Sequence, residues 1–128
     1  MTPLGRRIAA DFKKRFRKIR TRALKKHDIC VEFDAPNAAL GTLSVYAGEG
    51  HATLFIGDLA HGHFGSDEIS AETASKALLD FLNDLFHDEV VVWANANQKS
   101  GGWFYAKHAP KRLERGTLAF LWSGPFRP

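Results

Sequence analysis

Residues 43–57 read LSVYAGEGHATLFIG, and this stretch decides the fold. Its first half alternates apolar Leu43 and Val45 with Ser44, which predicts a strand with one buried face. Glycine on either side of a single glutamate then predicts a hairpin turn. The second strand, residues 52–57, has apolar residues on both faces, so we expect a central strand that is covered on both sides.

Working outward, the same criteria predict further strands over 29–34, 90–93, 103–105 and 117–122. An apolar face at helical spacing predicts a helix over 71–87, with Ser70 as its N-cap. Residues 58–69 show no clear period and are expected to form a loop. The tail 124–128, with two prolines, is expected not to continue a sheet.

The first 26 residues, here called the basic arm, predict another helix. Apolar residues from Leu4 to Ala23 recur every three or four positions, and arginine and lysine occupy most of the remaining surface. Pro3 suits a first helical turn. We therefore expect a helix from about Leu4 to Lys26 whose apolar stripe docks on the rest of the chain or on a partner.

Together these elements follow the order α-βββ-α-βββ. This order predicts one α+β domain over 1–128, with the basic arm at 1–26 and the body at 29–123. We expect two layers: a mixed, mostly antiparallel sheet with the helices packed on one face.

Charge is distributed very unevenly. The basic arm holds 11 of the 18 lysines and arginines against one acid, whereas residues 27–98 hold 12 acids against Lys76 alone. Such asymmetry points to charged partners. The one cysteine, Cys30, excludes an internal disulfide, and with no signal peptide or membrane-length apolar run we expect a cytoplasmic protein.

His61 and His63 are the best candidates for a metal site. On an extended chain their imidazoles point to the same side, and Asp58 or His51 could supply a third ligand, as in a metal-dependent hydrolase. The alternative is a pair of ordinary histidines beside glycines. Because no other catalytic motif is present, we expect neither an enzyme nor a cofactor.

Two binding surfaces follow from charge and aromatic content. A protein partner would meet acids around the hairpin and loop, with aromatic anchors. The residues of this set are Tyr46, Glu49, Asp58, Asp67, Glu68 and Trp103. A nucleic acid would instead meet the cations of the arm and of the C-terminal part. The residues of that set are Arg7, Lys14, Arg15, Lys18, Arg22, Lys111 and Arg112.

The segment TLFIGDLAHGHF at 53–64, a helix, VVVW at 90–93 and GGW at 101–103 together resemble small bacterial immunity proteins. These are cytoplasmic partners of polymorphic or contact-dependent growth-inhibition toxins. The resemblance spans roughly residues 52–105 and leaves the basic arm unexplained. It implies a small α+β protein that binds one toxin domain and blocks its active site, and the acidic body of this chain would suit a basic toxin domain. The oligomeric state is left open by the sequence.

Overall fold

The computed structural model describes residues 1–24, 26 and 28–127, and it confirms the α+β class. Within these residues the chain forms two α-helices and eight strands, with short 3-10 turns at Ala38–Leu40 and Ala106–His108. The elements in chain order are α1 (Pro3–Arg15), β1 (Ile29–Asp34), β2 (Thr42–Ala47), β3 (His51–Ile56), β4 (Ala60–Gly65), α2 (Ala71–Phe86), β5 (Val90–Asn95), β6 (Ser100–Tyr105), β7 (Thr117–Leu121) and β8 (Gly124–Pro125).

The strands form two sheets where the sequence pattern predicts one. The first sheet has the order β1-β2-β3-β4 and the second β6-β5-β7-β8, and every pair described is antiparallel. Alternation of apolar residues predicts a strand but does not determine which other strand pairs with it. The sheets approach each other where Gly101 of β6 lies against the Leu59 carbonyl, so closely that a Cβ at Gly101 would overlap that oxygen.

Both helices pack on one face of the first sheet, as the sequence predicts. The residues of β2 and β3 that face them are fully buried, among them Leu43, Val45, Leu54 and Ile56. Each such side chain contributes about 1.5–3 kcal/mol through its removal from water. Residues of α1 and α2 close the core from the other side, and they include Leu4, Ile8, Phe12, Leu78, Leu82 and Leu85.

Two predicted helix starts are confirmed in detail. The Ser70 hydroxyl accepts a hydrogen bond from the Thr73 amide at 3.1 Å, which caps α2. Helix α1 begins with Pro3 at its first position, and the Thr2 hydroxyl accepts from the Gly5 amide at 3.1 Å. Each cap satisfies one amide that has no partner within the helix.

Helix α1 ends at Arg15, well before the predicted end at Lys26. Phe16 leaves the helical conformation and packs edge-on against Phe12 and Phe86, with ring centroids 5.1 and 4.9 Å apart. The turn lets the chain reach β1, where the Arg22 amide donates to the Glu32 carbonyl at 2.8 Å. Aromatic packing therefore outweighs the helical period, and the prediction over 16–26 was wrong for the described residues.

Cys30 is buried where the basic arm crosses β1. Its thiol lies 3.5 Å from the Val45 carbonyl, and it lines a cavity of about 330 Å³ together with Phe12, Ile19 and Leu24. Burial raises the pKa of the Cys30 thiol to about 11. The basic arm therefore helps to shield the hydrophobic core from solvent.

Two segments expected to be irregular belong to sheets. Ala60–Gly65 forms β4 because it pairs along its whole length with β3. Its glycines and histidines interrupt the apolar alternation that would have predicted a strand. Gly124–Pro125 forms the short edge strand β8 against β7. An edge strand tolerates proline because the missing N–H can face away from the sheet.

Candidate functional site

The face of the first sheet opposite the helices carries no covering element within the described residues, and we call it the open face. Strand register places its side chains in two rows across the sheet. Those rows contain Glu32, Ser44, Phe55 and His61, then Tyr46, Thr53 and His63. These residues are half-buried or exposed, whereas their neighbours along β2 and β3 are buried. The open face is therefore the part of this sheet that a partner can reach.

Aromatic rings form a continuous cluster on the open face. Phe55 and Tyr46 pack edge-on with centroids 5.4 Å apart, and Phe55 lies 6.0 Å from the ring of His61. Phe55 is 40% exposed, which overturns the expectation that both faces of β3 are covered. Large exposed aromatics on adjacent strands are typical anchors of a binding surface.

A groove of about 980 Å³ runs along the open face. The 3-10 turn at 38–40 and the β3–β4 turn at 57–59 form one border, while Tyr46 and Phe55 form part of its floor. Asp58 lies on the border turn and is exposed. Gly57 adopts a φ of +51° there, and a Cβ would come within 2.4 Å of the Leu40 carbonyl, so this tight border requires glycine.

Arg22 of the basic arm reaches into this groove. Its Nη2 lies 2.6 and 2.8 Å from the two carboxylate oxygens of Asp34, and its Nη1 lies 4.0 Å from Glu32. The hydroxyls of Thr42 and Ser44 donate to Asp34 and Glu32, each at 2.8 Å. The hydrogen bond from Arg22 is the main cause that lowers the pKa of Asp34, and the same bond raises the pKa of Arg22.

The residues predicted to bind a protein partner do not form one patch. Tyr46 and Asp58 both line the groove, but Glu49 lies in the β2–β3 turn at the other end of β3. Asp67 lies near that turn, with Oδ1 3.0 Å from where a Cβ on Gly50 would be. The neighbouring Glu68, in the loop after β4, belongs to the same end of the sheet. The predicted acids therefore lie at opposite ends of β3, with Asp58 at one end and the other three at the other end.

Trp103 lies away from the open face. Its indole nitrogen approaches Gly62, whose partner in β3 is the buried Leu54, and its ring packs on Phe81 at 4.7 Å. Trp103 is therefore positioned as a packing residue between β6 and α2, and its geometry does not suit an anchor on the open face.

His61 and His63 point to the same side of β4, as predicted, with ring centroids 5.1 Å apart. Nδ1 of His63 lies 3.2 Å from the Thr53 hydroxyl. Among residues 1–24, 26 and 28–127, no group of three or more His, Cys, Asp or Glu side chains is arranged to hold a metal ion. Since a catalytic zinc site uses three protein ligands, the donor set found here does not complete one.

Acidic side chains already pair with part of the basic arm. Arg7 contacts Asp11 within α1 at 2.8 Å, and Arg15 contacts Asp80 of α2 at 2.7 Å. Hydrogen bonds from Lys76 and then Arg15 lower the pKa of Asp80. Two of the cations predicted to bind nucleic acid, Arg7 and Arg15, therefore have acidic partners, as does the arginine in the groove.

Other cations of that set remain accessible. Lys14 and Lys18 are exposed and take part in no salt bridge within the described part of the chain. Lys111 and Arg112 are exposed on the connection between β6 and β7, which belongs to the second sheet. The set is thus divided between the arm and the second sheet.

Sequence reasoning missed three residues that line the groove and one that adjoins it. The first three are Phe55, Arg22 and Glu32, and the fourth is Asp34. The period-two pattern carried a signal for two of them, because Phe55 and Glu32 occupy outward positions of their strands. No local signal places Arg22 beside Asp34, since that contact depends on where α1 ends.

Neither helix of the described residues has the length and apolar character that a bilayer crossing needs. Comparisons with family models, with curated proteins and with solved structures found no match to this chain.

Proposed function

We propose that this chain is a non-enzymatic protein-binding module and that the open face is its docking surface. In its specific form it is a cytoplasmic immunity protein that binds and neutralises one bacterial toxin domain, as the resemblance over residues 52–105 implies. The observation that carries the proposal is an uncovered four-stranded face whose aromatic cluster forms part of the floor of a groove. Interfaces of this kind gain most of their affinity from a few central aromatic anchors.

Charge supports a basic partner for this face. Glu32 and Asp58 line the groove, and Asp34 lies beside it. Opposite potentials accelerate association with a basic domain and disfavour acidic competitors.

The test is a capture experiment with the full chain and two variants. Phe55→Ala removes the exposed aromatic of the open face, whereas Leu118→Ala removes a 64% exposed side chain from the second sheet and is the matched control. We expect the native chain and Leu118→Ala to retain one bacterial protein and Phe55→Ala to lose it. Capture that is equal for all three chains would contradict the docking surface.

The immunity activity needs a second measurement. Expression of the captured protein should arrest bacterial growth, and co-expression of the native chain should restore growth. Co-expression of Phe55→Ala should restore growth less well. A captured protein that is harmless on its own contradicts the immunity form of the proposal and leaves protein binding in place.

Nucleic-acid binding is the second candidate, and the exposed cations Lys14 and Lys18 favour it. Binding of a single-stranded oligonucleotide should weaken steeply with salt because phosphate contacts release counterions. The double variant Lys14→Ala/Lys18→Ala should reduce the logarithmic salt slope by about 1.4, since each lysine that neutralises a phosphate of a single strand adds about 0.7 to that slope. An unchanged slope excludes these residues as phosphate ligands.

A further inference from the structure

We propose that the groove of the open face is a recognition site for a guanidinium group, and that the protein partner presents an arginine to it. This inference rests on the proposed function, because it names the chemistry of the partner at the same surface. It depends on three features of the groove, namely its aromatic floor, its charge and the arginine already bound at one end.

The aromatic floor of the groove suits a flat cation. Tyr46 and Phe55 line the groove, and Phe55 exposes 40% of its surface. Aromatic faces attract cations, and a planar guanidinium both stacks on a ring and donates hydrogen bonds from its rim. The hydroxyls of Ser44 and Thr42 and the carboxylates beside them supply acceptors at the same surface.

The charge of the groove also favours a cation. Two carboxylates line it, those of Glu32 and Asp58, and Asp34 adjoins it. Arg22 is the one Lys or Arg among the described residues that line it. Asp58 takes part in no salt bridge among those residues, so a negative group remains available on the border turn. A phosphate approaching this groove would meet repulsion, which disfavours nucleic acid here.

Arg22 shows how a guanidinium binds at this surface. It bonds both oxygens of Asp34 and approaches Glu32, whose other oxygen accepts from Ser44. The contact is exposed to solvent, since Arg22 and Asp34 each keep about half of their side-chain surface. Exposed ion pairs are weak and exchange readily. An arginine from a partner can therefore bind beside Arg22 at Asp58 or replace it at Asp34.

The probe is a blocked Gly-Arg-Gly tripeptide, titrated into the full chain and followed by backbone amide NMR shifts. A blocked Gly-Lys-Gly tripeptide carries the same charge without the planar group and is the matched ligand. We expect the arginine peptide to shift amides of β2, β3 and the β3–β4 turn, and to bind about two- to fivefold more tightly than the lysine peptide, as aromatic stacking predicts.

Five variants test the location. Phe55→Ala and Asp58→Asn should each weaken arginine-peptide binding about two- to fivefold, the range for an exposed cation–aromatic contact or ion pair. Glu49→Gln removes an acid outside the groove and should leave binding unchanged. Arg22→Ala removes the arginine bound to Asp34 and should tighten binding. Arg15→Ala removes one of the two cations that pair with Asp80 on α2, changes the net charge equally and should not tighten binding.

Equal binding of the two peptides, equal effects of Asp58→Asn and Glu49→Gln, or equal effects of Arg22→Ala and Arg15→Ala would overturn the inference, since each indicates unspecific charge attraction. Amide shifts of the open face caused by a single-stranded oligonucleotide would also overturn it.

Capture of a partner that depends on Phe55 while the arginine peptide does not bind retains the proposed function and rejects the guanidinium site. Peptide binding with capture unaffected by Phe55→Ala rejects the proposed function alone.

Discussion

The two faces of the first sheet are built from the same strands but differ in burial and in side-chain chemistry. Leu43, Val45, Leu54 and Ile56 are fully buried under the helices, while the outward positions of β2, β3 and β4 carry hydroxyls, aromatic rings and imidazoles. The covered face is a continuous apolar layer, and the open face is mixed. An aromatic as large as Phe55 at an outward position does not serve the core of this chain, and this contrast directs attention to binding.

The largest expected effect comes from the covered face. Phe33 is fully buried and its ring contacts those of Phe12, Phe86 and Trp122. Phe33→Ala should lower the free energy of unfolding by about 3–5 kcal/mol, because it leaves a cavity where α1, β1 and α2 meet. Urea denaturation measures this change. A loss below about 1 kcal/mol would mean that the two faces differ less than their burial indicates.

The junction of the sheets is the next test. Gly101→Ala places a Cβ against the Leu59 carbonyl, which forms part of the groove's border, and the clash should cost about 1–3 kcal/mol of unfolding free energy. Gly124→Ala is the control, because nothing lies within 4 Å of a Cβ there. If both variants unfold at the same urea concentration, the open face does not depend on the contact between Gly101 and Leu59.

A smaller effect is expected for the ion pair on the open face. The pKa of Asp34 is lowered mainly by its hydrogen bond from Arg22, so this pair stabilises the fold above the ordinary aspartate pKa, near 3.8. The contribution of the pair to the free energy of unfolding decreases once the pH falls below 3.8, and it is lost when the pH has passed the lowered pKa of Asp34. Arg22→Ala should therefore flatten the fall of the urea midpoint on acidification from about pH 5 to 2. An unchanged pH profile would show that Arg22 does not hold Asp34 in solution.

The smallest effect on stability should come from Phe55→Ala. The side chain is exposed, so the free energy of unfolding should change by about 0.5 kcal/mol or less, whereas the proposed function predicts that partner capture is lost. This variant compares the two faces most directly, because on one strand it separates an effect on binding from an effect on folding. A loss above about 2 kcal/mol would indicate that Phe55 supports the core, in contrast to typical surface positions.

The parts of the fold that depend on local sequence could be predicted. The hairpin at 43–57 and α2 with its Ser70 cap follow from neighbouring residues alone, and both are present. The end of α1, the strand β4 and the separation into two sheets depend on contacts between distant residues, such as Phe16 with Phe86. Those contacts leave no periodic signal in the chain.

The candidate site was predictable to a similar extent. Strand parity and charge identify Tyr46 and Asp58, and both line the groove. Residue type alone points to Trp103, but its surroundings on the helix side cannot be inferred without knowing that β6 passes beside β4. The prediction of Arg22 as a phosphate ligand follows from one continuous helix over the whole arm, which the chain does not form.

The buried thiol gives this chain a chemical reporter for opening of the basic arm. Cys30 is covered where the arm crosses β1, and with a pKa of about 11 it is almost wholly protonated near neutral pH. A thiol reagent therefore reaches Cys30 only when the basic arm separates from β1. The rate of labelling then measures how often that local opening occurs. Labelling half-lives at different salt concentrations would show how far the ion pairs of Arg15 and Arg22 hold the arm closed in the native state.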